Sequence, residues 1–330
     1  MKKRFLFGAL AVLLALITIM PAAFMEGASQ VVSDTQVKLS EEEAAALLET
    51  LELAELALPE GDTFRITVSP DDLSVQEGLN PDWQHILLMG TDTGSKVLNY
   101  GRTDTMIIAS INEKTKQLKL TSLVRDMLVD IPGLNNQNRI NTANRFGGPL
   151  LAMKVVNEVM GLNITRYVSI NFSGFSTLID TLGGVEIALS AAEASELKML
   201  HVDEPQLLNG EKALEYVRIR KLDNNFGRNE RQRILLESLF RQATSLGMNE
   251  IISLIPPIVE LVSTNLSTSD IIGLLPILLS VADGPDMMGL PQAGAFNYYQ
   301  TDTGASVVVF DQEAVRREFF AFIDNGSKAQ

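Results

Sequence analysis

Beyond residue 80, short apolar runs alternate with stretches of helical periodicity. Runs at 85–89, 105–111 and 117–123 have the length and the aliphatic content of buried strands, and 112–116 supplies a polar turn between the second and the third. We predict a sheet built on these runs, to which 127–131 adds a further strand. Other strand-like runs lie at 167–172 and 306–310.

Segments with apolar residues at helical spacing fill the intervals between and after these runs. The predicted helices cover 150–160, 175–182, 213–218, 228–246, 250–262, 270–281 and 312–323. An alternation of strands and helices is typical of an α/β or α+β domain. We therefore predict a central mixed β-sheet flanked by helices.

The N-terminus carries the longest uncharged segment of the chain. Residues 5–25 contain no charged side chain and follow three cations at positions 2–4. A run of this length can cross a bilayer as a helix, and the preceding cations favour the cytoplasmic side. Small residues near its end leave a cleaved signal peptide as the alternative. Both interpretations export the rest of the chain, and the first makes residues 1–25 a single-pass anchor.

The net charge of −14 comes from 41 acidic and 27 basic side chains, which are unevenly placed. Residues 26–80 hold thirteen acids against two bases. Within them, Ser40 and Glu43 form a capping-box pattern that predicts a helix over 41–58. We interpret 26–80 as an acidic extracytoplasmic linker or accessory segment and 81–330 as the main domain. The acidic balance argues against broad binding to nucleic acid, which requires Lys and Arg to neutralise phosphates.

Composition excludes several catalytic classes. The chain has no cysteine and only two histidines, His85 and His201, which removes thiol catalysis, cysteine-bound zinc and iron–sulfur clusters. It also lacks H-E-x-x-H, G-x-S-x-G and P-loop sequences. Ser195 and Lys198 form an S-x-x-K pair without the S-D-N and K-T-G elements that accompany it in penicillin-binding enzymes. Any metal chemistry must therefore use oxygen ligands.

Charged residues cluster at the ends of the first three predicted strands. Asp92 follows the first strand, Arg102 and Asp104 precede the second, and Arg125 and Asp126 follow the third. If these strands are neighbours, carboxylates and guanidiniums meet at one sheet edge. That combination suits Mg²⁺ shared with a phosphate, because Mg²⁺ takes one or two carboxylates together with phosphate oxygens. In the competing interpretation, both acids are turn or cap residues and each arginine pairs with a neighbouring acid.

An island of basic residues stands out late in this acidic chain. Arg228, Arg231 and Gln232 share the predicted first turn of a helix, and a helix N-terminus itself favours anions. Arg218 and Arg220 point the same way if the segment between them is extended. Because arginine binds phosphate oxygens bidentately, the island is a candidate phosphate site. For part of this basic island, the alternative is a solvent-exposed helix face with i,i+4 ion pairs.

Six stretches of the main domain form one combined pattern. They read ILLMGTD at 86–92, RTDT at 102–105, SLVRD at 122–126, GG at 183–184, NGEKAL at 209–214 and YVRIRKLDNNFGRNERQ at 216–232. In this order, over a motif core at 82–245, they resemble the LytR-CpsA-Psr proteins of bacterial cell envelopes. Two departures are mild: Leu123-Val124 stands where many members have Ile-Pro, and Lys221 stands where His is frequent. Neither alters a charged residue of the candidate site.

The resemblance implies a phosphotransferase outside the cell membrane. Its substrate would be a glycopolymer, of the teichoic acid or capsular polysaccharide type, moved from a polyprenyl pyrophosphate carrier to muramic acid in peptidoglycan. By motif position, Asp92 and Asp104 look like ligands of Mg²⁺, or of Mn²⁺ in its place, and would act with Arg102 and Arg125 in catalysis. The implied pyrophosphate-binding set is Arg102, Arg125, Arg218, Arg220, Arg228, Arg231 and Gln232. Which aspartate serves as the base stays open.

Three other functions remain open from the sequence. A membrane-tethered regulator acting on DNA conflicts with the outside topology and the acid excess. A protein that binds the lipid-linked glycan without transferring it would need the arginines but tolerate loss of the acids. A pyrophosphatase would need both and would use water as the acceptor.

Overall fold

The computed structural model describes residues 65–73, 76–93, 100–135, 137–219, 257–267, 285–292, 295–300 and 306–324, with single or paired positions between 222 and 277. The predicted membrane span at 5–25 and the helix at 41–58 lie outside these residues. Most of the helices predicted at 228–246, 250–262 and 270–281 do so too. Within the described residues, no helix combines the length and the apolar character needed to cross a membrane.

The described strands are β1 (Trp83–Thr91), β2 (Thr103–Asn112), β3 (Gln117–Leu123), β4 (Leu128–Val129), β5 (Asn138–Arg139), β6 (Arg166–Asn171), β7 (Val185–Ile187), β8 (Gln206–Leu208), β9 (Val262–Thr264), β10 (Asp286–Leu290), β11 (Phe296–Gln300) and β12 (Ser306–Phe310). Six of them form a central mixed sheet, in the order β10-β3-β2-β1-β6-β9. β2 lies antiparallel between β1 and β3, and β6 runs parallel to β1. The first three strands of the chain are therefore neighbours.

Helices cover both faces of this sheet. They are α1 (Ala143–Met160), α2 (Phe172–Thr181), α3 (Ala191–Glu196), α4 (Gly210–Val217) and α5 (Gln312–Asp324). α1 and α5 pack with Leu87 and Met89 of β1, whereas α2, α3 and α4 pack with Ile86 and Leu88. Since successive strand residues point to opposite faces, β1 must be apolar on both of them. The predicted mixed sheet flanked by helices is confirmed.

Side-chain caps define the first residues of two helices on the face formed by Ile86 and Leu88. At the start of α2, Asn171 Oδ1 accepts a hydrogen bond from the Gly174 amide at 2.8 Å. At the start of α3, Ser190 and Glu193 form a reciprocal capping box. These bonds satisfy amide groups that have no partner inside the helix. α2 thus begins directly at the end of β6, which places its first turn at one edge of the sheet.

Two segments differ from the sequence-based prediction. The run at 127–131 does not extend the central sheet, because β4 pairs with β5 in a separate ribbon. α1 begins before residue 150 and continues through a backbone break at Gly148, whose φ is 67°. Residues 65–73, from the segment interpreted as a linker or accessory segment, place Leu73 in the core of the domain.

Candidate active site

The sheet topology brings the predicted charged residues to a single edge. Thr91, at the end of β1, is paired both with Thr103, at the start of β2, and with Asn171, at the end of β6. β3 runs in the direction of β1 and therefore ends at the same edge. Asp92, Arg102, Asp104 and Arg125 flank these strand ends. The convergence expected from the sequence is present for all four.

Arg125 is the best-connected cation at this edge. Its Nη1 donates to Asp104 Oδ1 at 2.6 Å, and its Nε lies 3.6 Å from Asp126 Oδ2. Burial lowers the pKa of Arg125, but the negative charges of Asp126 and Asp104 outweigh that effect and raise it overall. The Arg125 and Asp104 side chains stay 30% and 34% exposed, so an incoming anion can reach them. The arginine–acid pair expected from the competing interpretation is thus present, and it remains accessible to solvent.

Asp126 and Arg139 join this group; Asp126 was expected among the strand-end charges but given no catalytic or binding role, and Arg139 was not predicted. Arg139 Nη1 lies 3.9 Å from Asp126 Oδ1. Burial raises the pKa of Asp126, and the charges of Arg125 and Arg139 act against that rise. Asp126 was recognisable from its position after the third strand. Arg139 was not, because it lies on a two-residue strand that has no periodicity of its own.

Asp92 is the second carboxylate of the edge. Its amide donates to the Arg102 carbonyl at 3.0 Å, just beyond a register irregularity at Gly90 and Thr91. Burial raises the pKa of Asp92, the charge of Asp104 raises it further, and the contacts with Arg102 oppose both effects. Two carboxylates close enough to repel each other are a suitable pair of oxygen ligands for a divalent cation. Among the described residues, no group of three or more acidic or histidine side chains is placed to hold a metal.

Asn141, just before α1, and Asn144, in its first turn, contact the segments that carry the charged side chains, and neither was part of the predicted site. The backbone amide of Asn141 donates to the Arg125 carbonyl at 3.2 Å. Asn144 Nδ2 donates to the Gly101 carbonyl at 2.9 Å. Both side chains are buried, with 4% and 1% exposure. The asparagine-rich stretch at 138–144 was the available signal.

Arg218 reaches the same edge from the other face of the sheet. It follows α4 and is exposed, and its guanidinium lies 4.6 Å from the centre of the Phe172 ring. Phe172 directly follows Asn171, the β6 residue paired with Thr91. A cation stacked on an aromatic ring keeps its planar donors free to bind an anion.

Arg231 is more deeply buried than Arg125 and Arg218. Its side chain is 3% exposed, Nη1 lies 3.5 Å from Glu193 Oε1, and Nη2 donates to the Ile219 carbonyl at 3.0 Å. It therefore ties α3 to the segment that immediately follows Arg218. Arg220, Arg228 and Gln232 lie outside the described residues.

Comparisons with known proteins agree on one group of relatives. Residues 60–316 match the model of the LytR_cpsA_psr family. A teichoic acid transferase named TagU from Enterococcus faecalis is 38% identical over 186 residues, which are 56% of this chain and 60% of that protein. Biofilm regulatory protein A of Streptococcus mutans is 34% identical over 63% of this chain and 53% of its own length. The matches thus span about half to three fifths of these relatives.

Solved structures share the fold. The structure of TagT bound to LIIa-WTA has a TM-score of 0.57 and 25% identity, covering 80% of this chain and 96% of that one. Bacillus subtilis TagV has a TM-score of 0.58 and 25% identity, covering 76% of this chain and all of that one. The matched part of this chain therefore corresponds to nearly the whole of both of those chains.

Proposed function

Because the chain belongs to the LytR-CpsA-Psr family, we propose that it transfers a glycopolymer from a polyprenyl pyrophosphate carrier to peptidoglycan outside the cell membrane. Relatives named polyisoprenyl-teichoic acid–peptidoglycan teichoic acid transferases support a teichoic acid-like polymer as the cargo. Residues 5–25 would anchor the chain, with the N-terminus in the cytoplasm.

The observation that carries the proposal is the convergence of two carboxylates and several arginines at one sheet edge. A pyrophosphate diester already stores the energy of the transfer, so the protein mainly has to align the phosphoryl group and neutralise its charge. Arg125 and Arg218 present accessible guanidiniums at this edge. Each of them can bind phosphate oxygens through two parallel hydrogen bonds. Arg102, Arg220, Arg228 and Gln232 complete the proposed set by motif position.

Asp92 and Asp104 are the residues that would hold a divalent cation, with Mg²⁺ or Mn²⁺ the choice for oxygen ligands. When bound, the cation would neutralise charge on the pyrophosphate oxygens. The mutual repulsion of the two acids, which raises the pKa of Asp92 after burial, supports such a ligand pair.

We assign the proton-accepting role to Asp92. Asp104 is already engaged by Arg125 at 2.6 Å, and burial raises the pKa of Asp92, which favours uptake of a proton by that carboxylate. The proton would leave the muramic acid hydroxyl as that oxygen forms its bond to phosphorus. The bond between the same phosphorus and the bridging oxygen would break, and polyprenyl monophosphate would leave.

Buried Arg231 fits a supporting role better than direct contact with phosphate. A ligand for an exchanging anion must be reachable, and only 3% of this side chain is exposed. Its bond to the Ile219 carbonyl holds the segment between Arg218 and Arg220. We therefore remove Arg231 from the proposed contact set and keep it as part of the scaffold.

The decisive experiment supplies purified protein with a polyprenyl pyrophosphoryl glycan and Mg²⁺, with and without peptidoglycan fragments. Transfer predicts release of polyprenyl monophosphate that depends on the acceptor, together with a new glycan-phosphate-muramic acid linkage. Equal release without acceptor would indicate a pyrophosphatase. Tight lipid binding without turnover would indicate a carrier-binding protein, or a regulator such as the name of the Streptococcus mutans relative suggests.

A further inference from the structure

A buried asparagine connects α1 to the segment that carries Arg102. Asn144 lies in the first turn of α1 and is 1% exposed. Its Nδ2 donates to the carbonyl of Gly101, itself buried, at 2.9 Å. One hydrogen bond thus links the start of a core helix to the residue directly before Arg102.

Gly101 in turn lies against the Asp92 carboxylate. A Cβ added to Gly101 would lie 2.5 Å from Thr93 Cγ2 and 3.0 Å from Asp92 Oδ1, so only glycine lets the two segments approach this closely. The following carbonyl, that of Arg102, accepts the Asp92 amide at 3.0 Å. A displacement of Gly101 therefore moves the carboxylate of Asp92 and the backbone of Arg102 together.

The bonding of Asn144 differs from that of an asparagine that only stabilises the fold. Asn144 Oδ1 is buried and has no hydrogen-bond partner among the described residues. Asn157, in the same helix and fully buried, uses both ends of its amide: Nδ2 donates to the carbonyls of Leu73 and Ile164, and Oδ1 accepts the Ile164 amide. A buried acceptor without a partner lowers stability, so stability alone does not account for Asn144.

We propose that Asn144 is a positioning residue that holds Asp92 and Arg102 in place through the backbone of Gly101. Its importance for transfer rests on the proposed function, but the positioning itself does not. An apolar residue in its place would leave the Gly101 carbonyl buried without this bond and let the Gly101–Arg102 segment shift away from Asp92.

The test compares Asn144→Ala with Asn157→Ala in the full-length protein in detergent. Both variants remove one buried amide from α1, and the two positions lie roughly 20 Å apart along the helix. Hydrogen exchange of the backbone around Asp92 and Arg102 is measured by mass spectrometry, together with Mn²⁺ binding by electron paramagnetic resonance. Asn144→Ser, which keeps a small donor, replaces the alanine variant if that variant does not fold.

Asn144→Ala should exchange the Asp92 and Arg102 amides on the order of tenfold faster than wild type and should weaken Mn²⁺ binding. Asn157→Ala should lower the melting temperature but leave both readouts at the site unchanged. Unchanged exchange in the Asn144 variants, or an equal increase in both alanine variants, overturns the proposal. Faster exchange limited to the Asn144 variants, in a protein that binds no Mn²⁺, supports the positioning role and instead contradicts the proposed metal site.

Discussion

The buried histidine of β1 makes the free energy of unfolding depend on pH in a calculable way. His85 Nδ1 lies 2.9 Å from Ser110 Oγ, and the His85 ring packs 5.8 Å from the Phe319 ring. Burial lowers the pKa of His85 from 6.5 to about 4. The His85 imidazole therefore becomes protonated below about pH 6.5 in the unfolded chain, but only below about pH 4 in the folded protein.

The sign and size of the effect follow from that difference. The neutral imidazole contributes its full share of stability above pH 6.5 and loses it progressively as the pH falls to about 4. A shift of this size corresponds to about 3 kcal/mol, since one pKa unit is about 1.4 kcal/mol. His85→Asn removes the titrating group and keeps a donor for Ser110. The stability advantage of wild type over this variant should thus shrink by about 3 kcal/mol between pH 7 and pH 4.

Urea unfolding at half-unit pH intervals measures this difference directly. Subtracting the variant's curve from that of wild type cancels the carboxylates common to both proteins, including Asp92 and Asp126. His201→Asn, at a side chain 40% exposed, is the matched control and should follow the wild-type curve. Parallel curves for wild type and His85→Asn would show that the buried imidazole is protonated without penalty, and would refute the reasoning.

Three further predictions concern the charged edge and its support. Mg²⁺ should raise the melting temperature of wild type, since a hundredfold excess over Kd corresponds to about 2.7 kcal/mol of added stability. It should not stabilise Asp104→Asn. If calorimetry finds the same stabilisation in both proteins, the two acids are turn or cap residues and not metal ligands. Arg218→Lys should weaken donor binding roughly tenfold, because lysine keeps the charge but loses the planar fork. Arg241, further along the predicted helix 228–246 and outside the proposed binding set, supplies the control, and Arg241→Lys should match wild type in a lipid-binding assay. Arg231→Met should lower the free energy of unfolding by about 3 kcal/mol, because Glu193 would lose its neighbouring cation while remaining mostly buried. Glu193→Gln combined with Arg231→Met should recover part of that loss, and additive losses in urea unfolding would contradict the pairing.

The sequence predicted the strands and their convergence because both depend on local signals. Strand 117–123 was predicted to its exact bounds, and the short turn before it makes β2 and β3 antiparallel neighbours. α1 was predicted to begin too late because Gly148 and Pro149 resemble a helix break. The preceding turn nevertheless stays helical, and the Ile66 amide anchors it by donating to the Phe146 carbonyl at 2.9 Å.

The residues that hold the charged segments in place could not be predicted, because their roles depend on where side chains point after the chain has folded. Arg231 lies among other arginines in the sequence, and nothing local distinguishes a buried one from one that faces a ligand. Its burial depends on Glu193, a residue far away in the chain. Asn144 likewise becomes informative only once Gly101 is known to be its partner.

The charge balance of the edge explains why acids and arginines should occur together in one site. Its described charged residues are Asp92, Asp104 and Asp126 against Arg102, Arg125, Arg139 and Arg218. Among the described residues, four cations and three carboxylates leave one positive charge, and Arg220 and Arg228 of the proposed set would add two more. Arginines alone would bind the donor but would repel one another in its absence. The acids would offset that repulsion in the free protein, and a divalent cation held by Asp92 and Asp104 in the proposed site would restore positive charge for the donor. By linkage, the cation and the donor should then each strengthen the binding of the other by the same factor.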